Sequence, residues 1–83
     1  MPKVWDEDGF RFYIYYNDHT PAHIHVEKAE GEVLINIGDD TTKPSIREVR
    51  RMSFSNVKKA LTIASREQQR LITHWRRIHG SRT

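Results

Sequence analysis

The fold is decided by residues 17–27, which read Asn17-Asp18-His19-Thr20-Pro21-Ala22-His23-Ile24-His25-Val26-Glu27. On either side of the proline, residues 10–16 and 23–29 alternate apolar and polar side chains at period two, as half-buried β-strands do. Three of the five histidines of the chain lie in this stretch. It therefore predicts a turn between two strands, and it concentrates at that turn groups that bind metals or transfer protons.

Four antiparallel strands are predicted within residues 3–38. Asp8-Gly9 is a strong two-residue hairpin signal, and with this loop Trp5 faces Phe12 on the neighbouring strand. Residues 45–52 show no clear period and could form only a short extended piece. We therefore expect a sheet of about four strands.

A second hairpin is predicted with Glu30-Gly31 as its loop, so that Val26 faces Ile35. The first long strand is expected to pair with the histidine strand so that Ile14 faces Val26. Both registers place the apolar side chains on one face of the sheet, and a slip by one residue would destroy this segregation. The predicted apolar face consists of Trp5, Phe10, Phe12, Ile14, Tyr16, Ile24, Val26, Val33, Ile35 and Ile37.

Residues 53–79 are predicted to be helical, because apolar side chains there recur every three and four positions. Ser53 or Ser55 is the expected N-cap, and Gly80 ends the segment. Residues 65–68 resemble a capping box, which predicts either one helix or a kinked pair that breaks near Ser65. The fold class is thus α+β: a single domain over residues 1–83 with helix on one face of an antiparallel sheet. The apolar stripe consists of Val57, Leu61, Ala64, Gln68, Leu71, Trp75 and Ile78.

Charge is distributed unevenly along the chain. Residues 1–40 carry nine acids and three bases, whereas residues 41–83 carry two acids and eleven bases. This asymmetry favours an anionic partner such as RNA or DNA, unless the two halves neutralise each other in the folded chain. Lys59, Arg66, Arg70 and Arg77 fall in one sector of the predicted helix. They could contact phosphates or a protein partner, or simply form a solvated outer face.

The composition narrows the class of protein further. There is no cysteine, so disulfides and thiolate metal sites are excluded. No apolar run approaches the roughly 20 residues of a membrane span, and no hydrophobic leader is present, so we expect a cytoplasmic protein that does not bind membranes. A chain of this length buries a limited core, and a homo-oligomer or a small partner protein could complete it.

The predicted polar face of the sheet carries the candidate chemistry. His23 and His25 lie on it at a spacing of two residues, about 7 Å apart, and could share one ion. His19 or Asp18 from the preceding loop, or Glu27 on the same strand, could supply a third ligand. The candidate ligand set for a divalent metal, zinc or manganese, is His19, His23 and His25, and the corresponding activity is metal-dependent hydrolysis.

Two further hypotheses need no metal. His23, His25 and Tyr15 are candidate catalytic residues for acid–base cleavage of RNA, because the imidazole titrates near working pH. Alternatively, Arg11, Tyr13 and Tyr15 could form, with the histidines, a surface that binds unpaired bases or a protein partner. Such residues are also ordinary occupants of a half-exposed sheet face.

The whole arrangement resembles a family of small bacterial proteins catalogued as a domain of unknown function. The resemblance covers nearly the whole chain, although Ala22 stands where relatives often have a second proline. The features that carry it are Met1-Pro2, Asp8-Gly9, the motif Asn17-Asp18-His19-x-Pro21-x-His23-x-His25 and the ending Trp75-x-x-Ile78-His79-Gly80. The resemblance implies a small cognate protein encoded nearby, in a pair similar to a toxin–antitoxin module, and it implies no catalytic residue. With the charge asymmetry and the polar–aromatic sheet face, the leading hypothesis is therefore a component of such a module that binds a small protein and nucleic acid through its sheet face and basic helix. A metal-binding domain or metal-dependent hydrolase is the alternative.

Overall fold

Five antiparallel strands followed by two helices make up the computed structural model, which describes residues 3–80. The order of strands in the sheet follows their order in the chain. Met1-Pro2 and residues 81–83, which belong to the predicted domain over 1–83, lie outside the described residues. The elements are β1 (Lys3–Glu7), β2 (Phe10–Tyr13), β3 (His23–Lys28), β4 (Gly31–Asn36), β5 (Ser45–Arg50), α1 (Phe54–Arg66) and α2 (Gln68–His79).

The core lies between one face of the sheet and the two helices, which confirms the predicted α+β class. From the sheet it contains Phe10, Phe12, Ile14, Ile24, Val26, Val33, Ile35 and Ile37, all fully buried. From the helices it contains Ala60, Ile63, Ala64, Leu71, Ile72 and Trp75. Trp5 is partly buried against this core. Tyr16 is 76% exposed, so its assignment to the apolar face is wrong. β2 ends at Tyr13, and Tyr16 is a central residue of the turn that the Asp18 amide closes on the Tyr15 carbonyl.

β5 is a fifth strand, one more than the sequence predicts. It pairs with β4, where Leu34 lies opposite Glu48 and Ile35 lies opposite Ile46. Arg47 is therefore an extra residue in a bulge. The bulge separates the two apolar residues of β5, Ile46 and Val49, by three positions instead of two. This spacing explains why residues 45–52 show no strand period.

The first hairpin has the predicted register, with Trp5 opposite Phe12 across a loop at Asp8-Gly9. Both loop residues have positive φ, 53° for Asp8 and 81° for Gly9, as a two-residue hairpin turn requires. The Asp8-Gly9 prediction is confirmed.

The register predicted for the second hairpin is wrong by two residues. Val26 lies opposite Val33, and the loop is Ala29-Glu30, where Ala29 has a φ of 54°. Gly31 is already part of β4, and a Cβ there would lie 2.5 Å from the carbonyl oxygen of Arg51. This glycine is needed for a close approach between backbones and not for the turn.

The pairing of β2 with β3 is also displaced by two residues, because Phe12, and not Ile14, lies opposite Val26. Side chains alternate with period two, so an even displacement leaves each residue on its predicted face. The predicted division into an apolar and a polar face therefore survives both errors.

The helical segment is a kinked pair, one of the two predicted forms. Ser53 is the N-cap of α1 and accepts a hydrogen bond from the amide of Asn56 at 3.2 Å. The break falls at Glu67, whose amide closes α1 on Ile63 and whose carbonyl accepts the first bond of α2. Gly80 ends α2 with a φ of 86°. Neither helix has the length and hydrophobicity of a membrane-spanning segment.

Gln68 ties the start of α2 to the loop between β4 and β5. Its side-chain amide donates to the carbonyl oxygens of Ile37 at 2.9 Å, Asp39 at 3.1 Å and Thr42 at 2.9 Å. The two N–H groups of this amide are shared among the three carbonyl oxygens, and they hold α2 against a loop in which Asp39 and Thr42 also exchange backbone hydrogen bonds.

We predict that Gln68→Leu lowers the free energy of unfolding by about 1–3 kcal/mol, because partly buried carbonyl groups lose their donor. Urea denaturation measures the change. Gln69→Leu is the matched control. Its amide donates only to the exposed carboxylate of Asp40, so the loss should stay below about 0.5 kcal/mol. Equal losses in the two variants would contradict the prediction.

Candidate metal centre

A turn at the end of β2 places Asp18 beside the sheet. The amide of Asp18 donates to the carbonyl of Tyr15 at 3.1 Å, and the amide of Tyr15 donates to Asp18 Oδ2 at 2.9 Å. Asn and Asp side chains form such turns readily because they can hydrogen-bond nearby backbone. Only 11% of the Asp18 side chain is exposed. The turn fixes one carboxylate oxygen and leaves Oδ1 available.

Asp18 Oδ1 and the Nε2 atoms of His23 and His25 converge on one point. Oδ1 lies 3.5 Å from Nε2 of His23 and 3.2 Å from Nε2 of His25, and all three ligand atoms lie within 4.8 Å of one another. Ligands held at about 2.0–2.1 Å around a tetrahedral zinc ion lie roughly 3.4 Å apart. The spacing of the three atoms therefore fits one ion with small adjustments.

The far nitrogen of each imidazole is held by an acceptor. Nδ1 of His23 lies 2.9 Å from the carbonyl oxygen of Pro21, and Nδ1 of His25 lies 3.0 Å from Glu32 Oε2. A carbonyl or carboxylate oxygen can only accept, so each Nδ1 carries the hydrogen and donates it. In a neutral ring, Nε2 then presents its lone pair towards Asp18. Metal-binding histidines in proteins are oriented in this way.

His25 lies between two carboxylates. Without a metal, only a doubly protonated ring can donate to both Asp18 and Glu32. A cation at Nε2 removes this requirement, because it takes the place of the second proton. The donor set therefore matches a bound divalent ion with a neutral imidazole.

Glu32 is itself held in place by β5. Arg50 donates to Glu32 Oε1 at 3.2 Å and to Glu48 Oε2 at 2.6 Å. A chain of charged groups thus runs from the edge of the sheet to His25.

Ionisation of the surrounding groups also suits a cation. Burial of Asp18 opposes its ionisation, but the bonds from the Tyr15 amide and the His25 ring outweigh it, and the pKa of Asp18 is lowered. Burial and the carboxylates of Glu27 and Glu32 raise the pKa of Tyr15. Asp18 is therefore an anionic ligand near neutral pH, and the Tyr15 hydroxyl keeps its proton.

Rings from the sheet and from α2 surround the three ligands. Tyr15 contacts His25 edge to face with ring centroids 4.7 Å apart, and Trp75 lies 5.5 Å from His23. His79 stacks near Trp75 at 4.1 Å. Within residues 3–80, Nε2 of His79 is buried without a hydrogen-bond partner.

An open depression of about 300 Å³ borders the centre on the side of Asp18. Its lining residues are Asp18, His19, Thr20, Trp75 and His79. Among the three converging residues, Asp18 lines it, whereas His23 and His25 do not.

The predicted site residues fall into two sets. His23 and His25 belong to the centre, and the third converging atom comes from Asp18, whereas His19 lines the depression. Tyr13 stacks on Tyr15 at 6.0 Å and lies opposite His25 on the sheet.

The predicted register, with Val26 opposite Ile35, would place Asn36 opposite His25. In the observed register Leu34 lies opposite His25, and Asn36 pairs with His23. Arg11 lies 3.8 Å from Glu27. The sequence pattern does not identify Glu32 as a site residue, and it indicates Asp18 only as one of several possible third ligands.

The predicted row of basic residues on the helices faces acids of the β1–β2 hairpin. Lys59 lies 3.7 Å from Asp8, and Arg66 is paired with Glu7. Arg70 donates to Glu67 at 2.9 Å, and its guanidinium lies 4.4 Å from the ring centre of Trp5. These contacts support the alternative that the acidic and basic halves neutralise each other.

Arg77 lines an open depression on α2 together with Arg70 and His74. Burial, and then the charges of Arg77 and Arg70, lower the pKa of His74. Arg77 is the member of the predicted row that is not drawn into an ion pair within residues 3–80.

Carboxylates outnumber cations on the polar face of the sheet. Phosphate groups would be repelled by this surplus, whereas a divalent cation would be attracted. The acids are Asp6, Asp18, Glu27, Glu32 and Glu48, and the bases are Lys3, Arg11 and Arg50.

Fold and centre together define a small α+β domain with a candidate metal site at one end of its sheet. The chain belongs to the family described as Domain of unknown function (DUF4160), whose family model matches residues 9–79. The matched range includes residues 17–27, and the predicted membership of a family of unknown function is thereby confirmed. No curated protein and no solved structure matches the chain.

We predict that stability depends on pH through Asp18. Its pKa is lower in the folded chain than its ordinary value of 3.8, so the stabilising contribution is complete above that value. It is lost as the pH falls through the folded pKa. The difference in unfolding free energy between the wild type and Asp18→Asn should therefore shrink as the pH falls below about 4. Urea denaturation across this range measures it, and a difference that does not change with pH would contradict the prediction.

Proposed function

We propose that this protein binds one divalent metal ion through Asp18, His23 and His25 and uses it for hydrolysis. The proposal rests on the convergence of one carboxylate oxygen and two Nε2 atoms within 4.8 Å. It is supported by the acceptors that hold both Nδ1 atoms, because they fix the tautomer that a metal needs.

Zinc is the first ion to test, and manganese is the second. Two imidazoles and one carboxylate form a donor set that suits zinc and other first-row divalent ions, and no sulfur ligand is present. Three protein ligands leave a position for water, and zinc lowers the pKa of such a water to about 7. The depression beside Asp18 provides the route by which a small substrate would approach.

Binding of a small protein partner and of nucleic acid, in a toxin–antitoxin-like module, stays a prediction of the sequence. The ion pairs of Lys59 and Arg66 with the β1–β2 hairpin reduce the charge available for phosphates. Metal binding is therefore the function that the geometry supports best.

We predict that zinc affinity falls by about 100-fold or more in His23→Ala, His25→Ala and Asp18→Ala, because each variant removes one of three ligands. Isothermal titration of untagged protein measures the affinity. His19→Ala is the matched control, since His19 is the neighbouring histidine outside the converging set, and it should change affinity by less than about threefold. If His19→Ala loses zinc binding and Asp18→Ala retains it, the third ligand is His19 and the proposed ligand set is wrong.

The same variants test the hydrolytic part of the proposal. Zinc-dependent release of 4-nitrophenol from 4-nitrophenyl acetate should be present in the wild type and lost in His25→Ala. If the wild type binds zinc tightly but hydrolyses neither ester nor phosphoester substrates, the proposal of metal binding stands and the proposal of hydrolysis is wrong.

We also predict that Glu32→Ala weakens zinc binding by about 10–100-fold, although Glu32 is not a ligand. Removal of its carboxylate frees Nδ1 of His25 and permits the wrong tautomer. Glu27→Ala, on the same face and paired with Arg11, is the control and should leave affinity nearly unchanged. If both variants bind like the wild type, the orientation of His25 does not depend on Glu32.

A further inference from the structure

β5 leaves an unpaired edge on the sheet. Its only neighbour within residues 3–80 is β4, and all six of its residues are exposed. Ile46 and Val49 lie opposite the buried Ile35 and Val33, yet they remain 37% and 45% exposed. The helices therefore do not finish covering the apolar side of this strand.

We propose that β5 pairs antiparallel with β5 of a second copy of this chain, giving a two-fold symmetric dimer with a continuous ten-stranded sheet. The proposal does not depend on the metal centre. It concerns the opposite part of the sheet from the β1–β2 hairpin.

The sequence of β5 is self-complementary in the antiparallel register that places Arg47 opposite Glu48 of the second copy and Ile46 opposite Val49 of the second copy. Two-fold symmetry forms each pair twice. Opposite charges and apolar side chains placed directly across a strand pair are the combinations that stabilise a sheet. A second register, with Val49 opposite Val49, pairs Glu48 with Arg50 instead, and it differs from the first in leaving Arg47 without an acid across the strand pair.

A slip by one residue reverses these contacts. In one direction Arg47 meets Arg47 of the second copy, and in the other Glu48 meets Glu48. Like charges directly opposite each other are destabilising, so charge disfavours a slip by one residue in either direction. Charged residues on an edge strand commonly prevent pairing, but here their order makes them complementary to a second copy.

Arg47 is the charged group of β5 that is available for this contact, because it makes no ion pair within residues 3–80. Glu48 is paired with Arg50 of its own strand at 2.6 Å, and Arg47 of the second copy would share its carboxylate. The other edge of the sheet is less suited. In β1 the charges of Lys3 and Asp6 neutralise each other at 2.7 Å, and Val4 and Trp5 pack against the core.

Sedimentation equilibrium of the full chain tests the proposal by charge reversal. Arg47→Glu and Glu48→Arg should each weaken the dimer by about 10-fold or more, because each places like charges across the two-fold axis. The double variant Arg47→Glu/Glu48→Arg restores opposite charges and should return to within about threefold of the wild type. Asp6→Arg reverses a charge on β1 and is the matched control, with no expected change.

The measurements are made in the presence of a chelator, so that a metal shared between two copies does not count as support. A wild type that remains monomeric at every concentration would overturn the proposal. So would a dimer that resists both single reversals, or one that dissociates in Asp6→Arg, since the contact would then lie elsewhere. Circular dichroism of each variant verifies that the chain remains folded.

Discussion

Burial of alternate residues of β3 is the constraint on which the other features depend. Ile24 and Val26 must face the helices, because a chain this short has few other apolar groups with which to build a core. The pleat then forces His23 and His25 onto the opposite face with their rings 5.4 Å apart. The core and the candidate metal centre thus lie on opposite faces of the same strand, β3.

The same alternation explains which features of the sheet can be predicted from the sequence. Division of the sheet into two faces needs only the parity of each register, so it is predicted correctly even where pairing is wrong by two residues. Contacts across strands need the register itself. With Val26 placed opposite Ile35, Glu32 lies too far from His25 to be recognised, whereas in the observed register it is a diagonal neighbour.

Two other features cannot be predicted from the periodicity of apolar residues. β5 contains a bulge, and a bulge removes the alternation by which strands are recognised. The third converging atom comes from Asp18 and not from His19 because of the turn that closes on Tyr15. The number of residues between a side chain and the strand does not indicate which way that side chain points in such a turn. The β3–β4 loop, Ala29-Glu30, likewise contains no glycine. Gly31, which suggested the loop, lies in β4, where the backbone of Arg51 leaves no room for a side chain.

The contrast between an acidic first half and a basic second half is partly resolved inside the molecule. Acids of the β1–β2 hairpin meet bases of α1, and Arg50 meets Glu32 across the β4–β5 pair. Exposed pairs of this kind contribute little energy individually. Their effect is to orient hairpin and helix and to lower the net field that a polyanion would encounter.

Arg50 connects the free edge of the sheet with the candidate metal centre. It belongs to β5, it holds Glu32, and Glu32 holds the imidazole of His25. If the centre binds an ion as proposed, an event that repositions this guanidinium would change the free energy of ion binding. By thermodynamic linkage, ion binding would then change the free energy of that event by the same amount. Edge and centre would thus be coupled, although none of the three candidate ligands lies on β5.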